Sequence, residues 1–296
     1  MELDLAQLRA LSAAASEGSL DAAARALHVT PSAVSQRLKA LETATGRVLL
    51  VRSRPVQVTE SGRAILRLAR QVELLVADAA AELGTEDSRP AMPLPIAVNA
   101  DSLATWALPA LAPLADALTF EIHREDEEHT SELLREGAVM AAVTVDADPL
   151  PGCSSTRLGA MRYRPMASSA FAARWLPDGP SARALARAPV VVFDRKDDLQ
   201  HRYLRRRARG HALQPPAHHV PSSADFLAAV RLGLGWGMLP DLQTAADERA
   251  GRLVDLDPRG AANVVLHWQQ WRLRSPSLER VAAAILDAAR AQLLQG

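Results

Sequence analysis

Ser32, Ser35, Gln36 and Lys39 fall at helical spacing and bring three kinds of nucleic-acid chemistry to one face. Hydroxyls near a helix N-terminus approach phosphates, glutamine bonds adenine bidentately, and lysine suits phosphate or guanine. Arg52 and Arg54 follow in the extended segment Val51-Arg52-Ser53-Arg54-Pro55-Val56-Gln57-Val58. Strand alternation puts both arginines on one side, where they would lie along a phosphate backbone as a wing. A second chemistry, suited to a small cation, gathers further on. Asp101 and Ser102 follow the apolar run Pro95-Ile96-Ala97-Val98, Glu125 and Asp126 open a run of four acids, and Thr144 and Asp194 stand at the ends of two more apolar runs. Carboxylates at strand ends suit an ammonium or guanidinium, while the free N–H groups of a starting helix, with the Ser102 hydroxyl, suit a carboxylate.

Each group has a plainer alternative. The polar face at residues 32–39 also fits a solvated face, Asp101 a simple N-cap, and the acidic run a solvated charge cluster. Trp106 walls a cleft in one reading and fills the core in the other, which its size favours.

The elements that must hold these residues are legible as patterns. Leu20 to Leu27 is an alanine-rich helix, His28-Val29 a short turn, and Thr30 an N-cap with Pro31 at the first helical position. Val34, Leu38 and Leu41 recur on the inner face, so the pair reads as a helix-turn-helix with a polar outer face. A long helix starts after Thr59. Ile65, Leu68, Val72, Leu75 and Ala79 step by three and four along it, a heptad seam that asks for a second copy of the chain. Thr85-Glu86-Asp87-Ser88-Arg89-Pro90-Ala91-Met92-Pro93 reads as a hinge.

Beyond it, apolar runs alternate with helical stretches, predicting an α/β unit with a mainly parallel sheet. The run at 264–268 is a late strand, followed by a helix capped by Ser277. The chain leaves a first lobe near Leu158-Gly159-Ala160-Met161 and returns to it at the late strand, so two crossings join two lobes around a cleft. The expected divisions are a reader at 1–58, a linker and dimerisation helix with hinge at 59–88, and a two-lobed effector domain at 89–296. Its first lobe takes about 93–161 and 265–296, its second about 162–264.

Charge follows the same division. The chain has 296 residues with 34 Lys+Arg against 34 Asp+Glu, a net charge of zero. Residues 1–70 hold ten bases against six acids, and residues 120–150 hold two against nine. Neutrality is thus the sum of a basic reader and an acidic segment with different partners.

The first ninety residues resemble the LysR-type transcriptional regulators, on Ala22-Ala23 through Leu27, Ser32-Ala33-Val34-Ser35, Leu41-Glu42, the Arg52 wing and Thr59-Glu60-Ser61-Gly62. Asn99-Ala100-Asp101-Ser102-Leu103-Ala104-Thr105-Trp106, Glu125-Asp126-Glu127, Leu158-Gly159-Ala160 and Gly235-Trp236-Gly237-Met238-Leu239-Pro240 extend the resemblance, over essentially the full chain, to the ArgP/LysG branch. The resemblance implies a winged helix-turn-helix, a dimerising linker helix and a periplasmic-binding-protein-like effector domain. It also implies a homodimer that assembles into a homotetramer on an operator in double-stranded DNA. The implied effector is lysine or arginine, and the implied target is a gene for a basic amino-acid exporter.

The alternatives are a LysR-type regulator with another small effector, or a two-lobed receptor or enzyme. Against the enzyme, no nucleophile elbow or Ser-x-x-Lys motif is present, so no catalytic role and no cofactor are expected. Gly233-Leu234-Gly235-Trp236-Gly237 lacks the dinucleotide spacing and reads as a turn into a buried strand. His123, Glu127 and His129 do not converge at helix or strand spacing, so no metal is expected. The lone Cys153 excludes an internal disulfide. Against the receptor, the acidic start Met1-Glu2-Leu3-Asp4-Leu5 is unlike a secretory signal, and no run of 18 apolar residues exists. A cytoplasmic location without membrane attachment is therefore expected. The arginines at 202, 205, 206, 207 and 209 are expected to be a solvated helix face.

Overall fold

Side-chain caps cut the N-terminal region into helices. The computed structural model describes residues 2–51, 53–84, 93–125, 130–195, 197–209 and 213–296, without the side chains of Glu125 and Thr130. Helix α1 (Leu5–Glu17) is opened by Asp4, whose carboxylate accepts from the N–H groups of Ala6 and Gln7, and closed by Gly18 in the left-handed region. Ser19 caps α2 (Leu20–Ala26), and Thr30 caps α3 (Pro31–Thr45) with Pro31 in its first turn. Leu8, Leu11, Ala23, Val34, Leu38 and Leu41 bury one face of each helix in a common core.

Strands β1 (Leu50–Val51) and β2 (Gln57–Val58) pair antiparallel as the wing. Glu42 near the end of α3 accepts from the Leu49 N–H at 2.8 Å, tying wing to helix. Arg54 sits in the bend between the two strands rather than on one, so strand alternation does not orient it; Arg52 lies outside the described residues. Thr59 then caps α4 (Glu60–Glu82). A Cβ at Gly62 would stand 2.1 Å from the Leu49 carbonyl oxygen, so the wing reaches α4 only because residue 62 has no side chain.

The heptad seam on α4 divides in two. Ile65 and Val72 pack on the reader's own core, because the first half of α4 runs against α1. Leu68 is half-buried, whereas Leu75, Val76, Ala79 and Leu83 are exposed. Elsewhere α4 buries Arg70, Glu73 and Asp78. Glu73 accepts from Ser12 Oγ on α1 at 3.0 Å, and Arg70 donates to Ser16 Oγ at 3.1 Å and to the carbonyls of Gly137 and Ala138. The linker helix is thus bonded to the reader on one side and to the following domain on the other. The hinge expected after it lies outside the described residues, except for Pro93.

The second domain starts with β3 (Leu94–Asn99), then α5 (Ala100–Ser102), a π-helical turn (Leu103–Ala107) and α6 (Leu108–Leu111). Pro109 has no N–H to offer the Thr105 carbonyl, which accounts for the widened turn. Next come β4 (Phe120–Glu125), α7 (Thr130–Glu136) and β5 (Ala141–Thr144), and then the long β6 (Cys153–Ser168). Helices α8 (Ser169–Trp175) and α9 (Ala182–Leu185) lead to β7 (Val190–Val192), α10 (Leu199–Arg207), β8 (Ala217–His219) and α11 (Ser223–Arg231). The chain continues through β9 (Gly237–Pro240), α12 (Asp241–Arg249), β10 (Leu253–Asp255), β11 (Ala262–Trp271) and α13 (Pro276–Gln292).

The main sheet runs β10-β6-β11-β5-β3-β4, with β9 also on β6. Only β3 with β4 and β3 with β5 are parallel there; β11 and β6 pair antiparallel with all their neighbours. The expected mainly parallel sheet is therefore corrected to a mixed one. Strand–helix alternation shows crossovers, but it cannot show two long strands returning through both lobes. These two strands pair with each other from Cys153↔Trp271 to Tyr163↔Ala262 and carry the chain between the lobes. Trp106 is buried in the principal core beside Leu111 and Val98. The cap of α13 is Ser275, which accepts from the Leu278 N–H, and not Ser277, which sits one residue past Pro276 and donates to Asp78 instead.

Candidate functional site

Two surfaces collect the polar residues. The first is the outer face of α3. Ser32, Gln36 and Lys39 are exposed and Ser35 half-buried, while Val34, Leu38 and Leu41 are buried beneath them. Pro31 has no N–H, and those of Ala33 and Val34 are bonded to Thr30, so the start of α3 offers the Ser32 N–H with the Ser32 and Ser35 hydroxyls nearby. That arrangement can sit against phosphates while Gln36 and Lys39 reach further into a groove.

The second surface is the cleft between the lobes. From the first lobe it is lined by Asn99, Ala100 and Asp101, and from the second by Asp194, Asp197 and Gln243 among others. Strand β3 delivers Asp101 to this place because it ends where the helical stretch from Ala100 begins. Asp101 Oδ1 accepts from Ser223 Oγ at 2.6 Å, and Oδ2 accepts from the Tyr163 hydroxyl at 2.9 Å. Burial pushes the Asp101 pKa up; the two hydroxyl bonds pull it down, and the nearby Asp197 charge raises it. Gln243 Nε2 donates to Ser223 Oγ at 2.6 Å, while Gln243 Oε1 is buried with no partner among the described residues.

Across the cleft, Asp197 accepts from the N–H groups of Phe193 and Leu199, both at 3.1 Å, and its own N–H donates to Asp194 at 3.0 Å. Burial also raises the Asp197 pKa, against those backbone bonds. Asp198 lies 3.4 Å from Arg202 and 3.3 Å from Arg205. Among the described lining residues, the carboxylates of Asp101, Asp194, Asp197 and Asp198 face one guanidinium, Arg202. Such a cleft attracts a cation.

The structure brings Asp101 and Asp194 together there and leaves other expected residues elsewhere. Ser102, one residue past Asp101, is fully buried and does not line the cleft. Thr144 is also fully buried, 3.1 Å from Ser131 Oγ, and accepts from the Asp146 N–H at 3.2 Å, so its hydroxyl is engaged under the surface. Glu125 stands beside Asn99 in the β3–β4 ladder; its side chain and the whole of Asp126 lie outside the described residues. The arginines at 202, 205, 206, 207 and 209 are all exposed, as a solvated face requires, and three of them also make specific approaches. Arg202 lines the cleft, Arg206 donates to Gly260 O at 2.9 Å and Arg207 to Pro180 O at 2.9 Å.

Tyr163, Asp197, Ser223 and Gln243 were not singled out by pattern. Asp197-Asp198 just after an apolar strand is a signal of the kind that found Asp101. Tyr163 and Gln243 carry none, because their place depends on how the second lobe folds back.

Comparison with known proteins matches both halves. The model of the bacterial regulatory helix-turn-helix proteins of the lysR family covers residues 5–63, and that of the LysR substrate binding domain covers residues 88–290. The lysine export transcriptional regulatory protein LysG of Corynebacterium efficiens is 45% identical over 94% of this chain and 94% of its own length. The crystal structure of ArgP from Mycobacterium tuberculosis superposes with a TM-score of 0.86 at 44% identity, covering all of both chains. Full-length LysG from Corynebacterium glutamicum with bound effector Arg gives 0.76 at 40% identity over 99% of this chain and 100% of that one. With reader and effector domain both matched, in order and over nearly the whole length, this chain belongs to the LysR family of transcriptional regulators.

Proposed function

We propose that the effector of this regulator is a basic amino acid, lysine or arginine, and that its operator controls a gene for basic amino-acid export. The observation that carries this is the excess of carboxylates in the cleft, with Asp101 and Asp194 facing it from opposite lobes. The ligand ammonium and side-chain cation pair with these carboxylates, and Glu125 and Asp126 add negative charge to the same effector domain. The α-carboxylate takes the N–H groups that open the helical stretch at Ala100. The relatives named for lysine export, and the one bound to Arg, support the same assignment.

On the DNA side, Ser32, Ser35, Gln36 and Lys39 enter the major groove while Arg52 and Arg54 hold the backbone. Two copies join along α4 through Leu68, Leu75 and Ala79, with Ile65 and Val72 shared between that seam and the reader core, and dimers pair into a tetramer in the cytoplasm. The divisions at 58/59 and 88/89, and the two lobes as bounded above, belong to this reading. Ligand binding favours closed lobes, and the buried bonds of α4 pass the change to the spacing of the readers. The direct test is a gel shift on DNA upstream of the chain's own gene, with and without lysine or arginine. A ligand-dependent shift is expected; no shift with any such fragment at low salt overturns the proposal.

A further inference from the structure

We infer that Gln243 is a specificity-determining residue of the cleft, presenting its side-chain oxygen as a neutral acceptor for an N–H of the bound cation. The inference rests on the basic amino-acid reading above and adds a residue to it.

The argument is one of hydrogen-bond polarity. An ionised Asp101 only accepts, so the single proton of Ser223 Oγ is committed to Oδ1 at 2.6 Å. The Ser223 oxygen can then only accept from its other neighbour. Gln243 must therefore turn its NH2 group toward Ser223, which it does at 2.6 Å. That fixes which end of the amide is nitrogen, an assignment otherwise open for glutamine. The amide oxygen is left on the opposite side, buried and with no partner among the described residues. A buried acceptor without a donor is costly, and a ligand that brings an N–H removes the cost. Because Gln243 lines the same cleft as Asp101 and Asp194, the donor its side-chain oxygen lacks is one that an ammonium or guanidinium carries. A neutral acceptor here adds direction without adding a further charge to carboxylates whose ionisation burial already opposes. An apolar ligand end would leave the oxygen unpaired, so the cleft selects against it.

The relay also links Gln243 to the charge on Asp101. A neutral Asp101 could donate to Ser223, Ser223 to the amide oxygen, and the cleft would then face an NH2 group. The same three residues present an acceptor only while Asp101 is ionised.

The test is calorimetry on the full-length chain with L-arginine and L-lysine as probes, with unfolding temperatures of the free variants as a folding control. Gln243→Met, similar in size but without acceptor or donor, is expected to weaken both ligands by about 10-fold or more. Gln243→Glu keeps an acceptor but cannot donate to Ser223. It is expected to recover binding of both ligands even at about 0.5 M salt, where added charge is screened. Unchanged affinity in Gln243→Met overturns the inference and leaves the effector assignment standing. Loss in both variants overturns it too, since the residue would then act only by holding Ser223. A parent chain that binds neither amino acid overturns the effector assignment itself, and this inference with it.

Discussion

Asp78 on the linker helix accepts a hydrogen bond from Ser275, the residue that caps the last helix, at 2.5 Å. Ser277 donates to the other oxygen of the same carboxylate, and the site is buried. One side chain therefore fixes α4 against α13, and it is not among the residues lining the cleft. Removing it leaves two buried hydroxyls without an acceptor, which costs about 1–3 kcal/mol each way the site relaxes. Asp78→Ala is expected to lose that stability in urea or thermal unfolding, and Asp78→Asn less, because its carbonyl still accepts. Equal stability of Asp78→Ala and the parent would show that this contact does not hold the helices together.

Glu73 gives the linker a pH dependence. Burial lifts its pKa from 4.5 to about 7, against the Ser12 hydroxyl and the charges of Arg70 and Arg9. A raised carboxyl pKa means that the folded chain binds the proton more tightly than the unfolded one. Stability is thus greatest below the unfolded value, falls as pH rises toward 7 and levels off above it. The full loss is on the order of 3 kcal/mol. Glu73→Gln keeps an acceptor for Ser12 and removes the titration. Its melting temperature should fall less than the parent's between pH 5 and pH 8; parallel profiles would remove Glu73 as the cause.

Asp101 predicts the opposite slope for ligand binding. The cation prefers the ionised carboxylate, whose pKa burial has raised. Affinity for lysine should therefore fall as the pH is lowered through that value, and the fall should disappear in Asp101→Asn. Asp101→Ala is expected to abolish the amino-acid response in a gel shift while operator binding persists. Calorimetry with unchanged lysine and arginine affinity in Asp101→Ala would sink the assignment.

How much of this the sequence carried depends on the range of each interaction. The caps Ser19, Thr30 and Thr59 act on N–H groups three residues away, so local spacing was enough to place the reader helices. Asp101 was visible because an apolar strand points at it. Ser102 and Thr144 share its pattern but turn under the surface, since neighbours on a helix or strand differ in direction by a rotation that composition does not record. Tyr163 meets Asp101 across 62 positions and Ser223 across 122, and nothing local marks such pairs. The mixed sheet escaped for the same reason: β6 and β11 are recognisable strands whose direction is set by the return path.

The exposed end of the α4 seam makes a prediction about assembly. Leu75 and Leu83 are 40% and 76% exposed, an apolar edge that water disfavours. Leu75→Asp should shift the chain toward monomer in sedimentation velocity and weaken operator binding, since each half-site alone holds fewer phosphate contacts. Ile65→Asp is expected to do something different, because Ile65 also packs on the reader core: it should lower the melting temperature. An unaltered sedimentation coefficient in Leu75→Asp at micromolar concentration would rule this edge out as the dimer contact.

On the DNA face, Gln36 and Lys39 are both exposed on α3 and should separate by the kind of loss. A lysine that neutralises a phosphate releases a counterion, so its removal weakens every duplex alike and flattens the salt dependence. Lys39→Ala should lower the slope of log affinity against log salt by about one. A glutamine that bonds adenine contributes direction rather than charge. Gln36→Ala should leave the salt slope unchanged, cost about 1–3 kcal/mol on the operator and cost little on unrelated DNA. Fluorescence anisotropy across a salt series on both duplexes measures the two together. If Gln36→Ala weakened operator and unrelated DNA equally, α3 would be lying on the backbone, and the wing would have to read the bases.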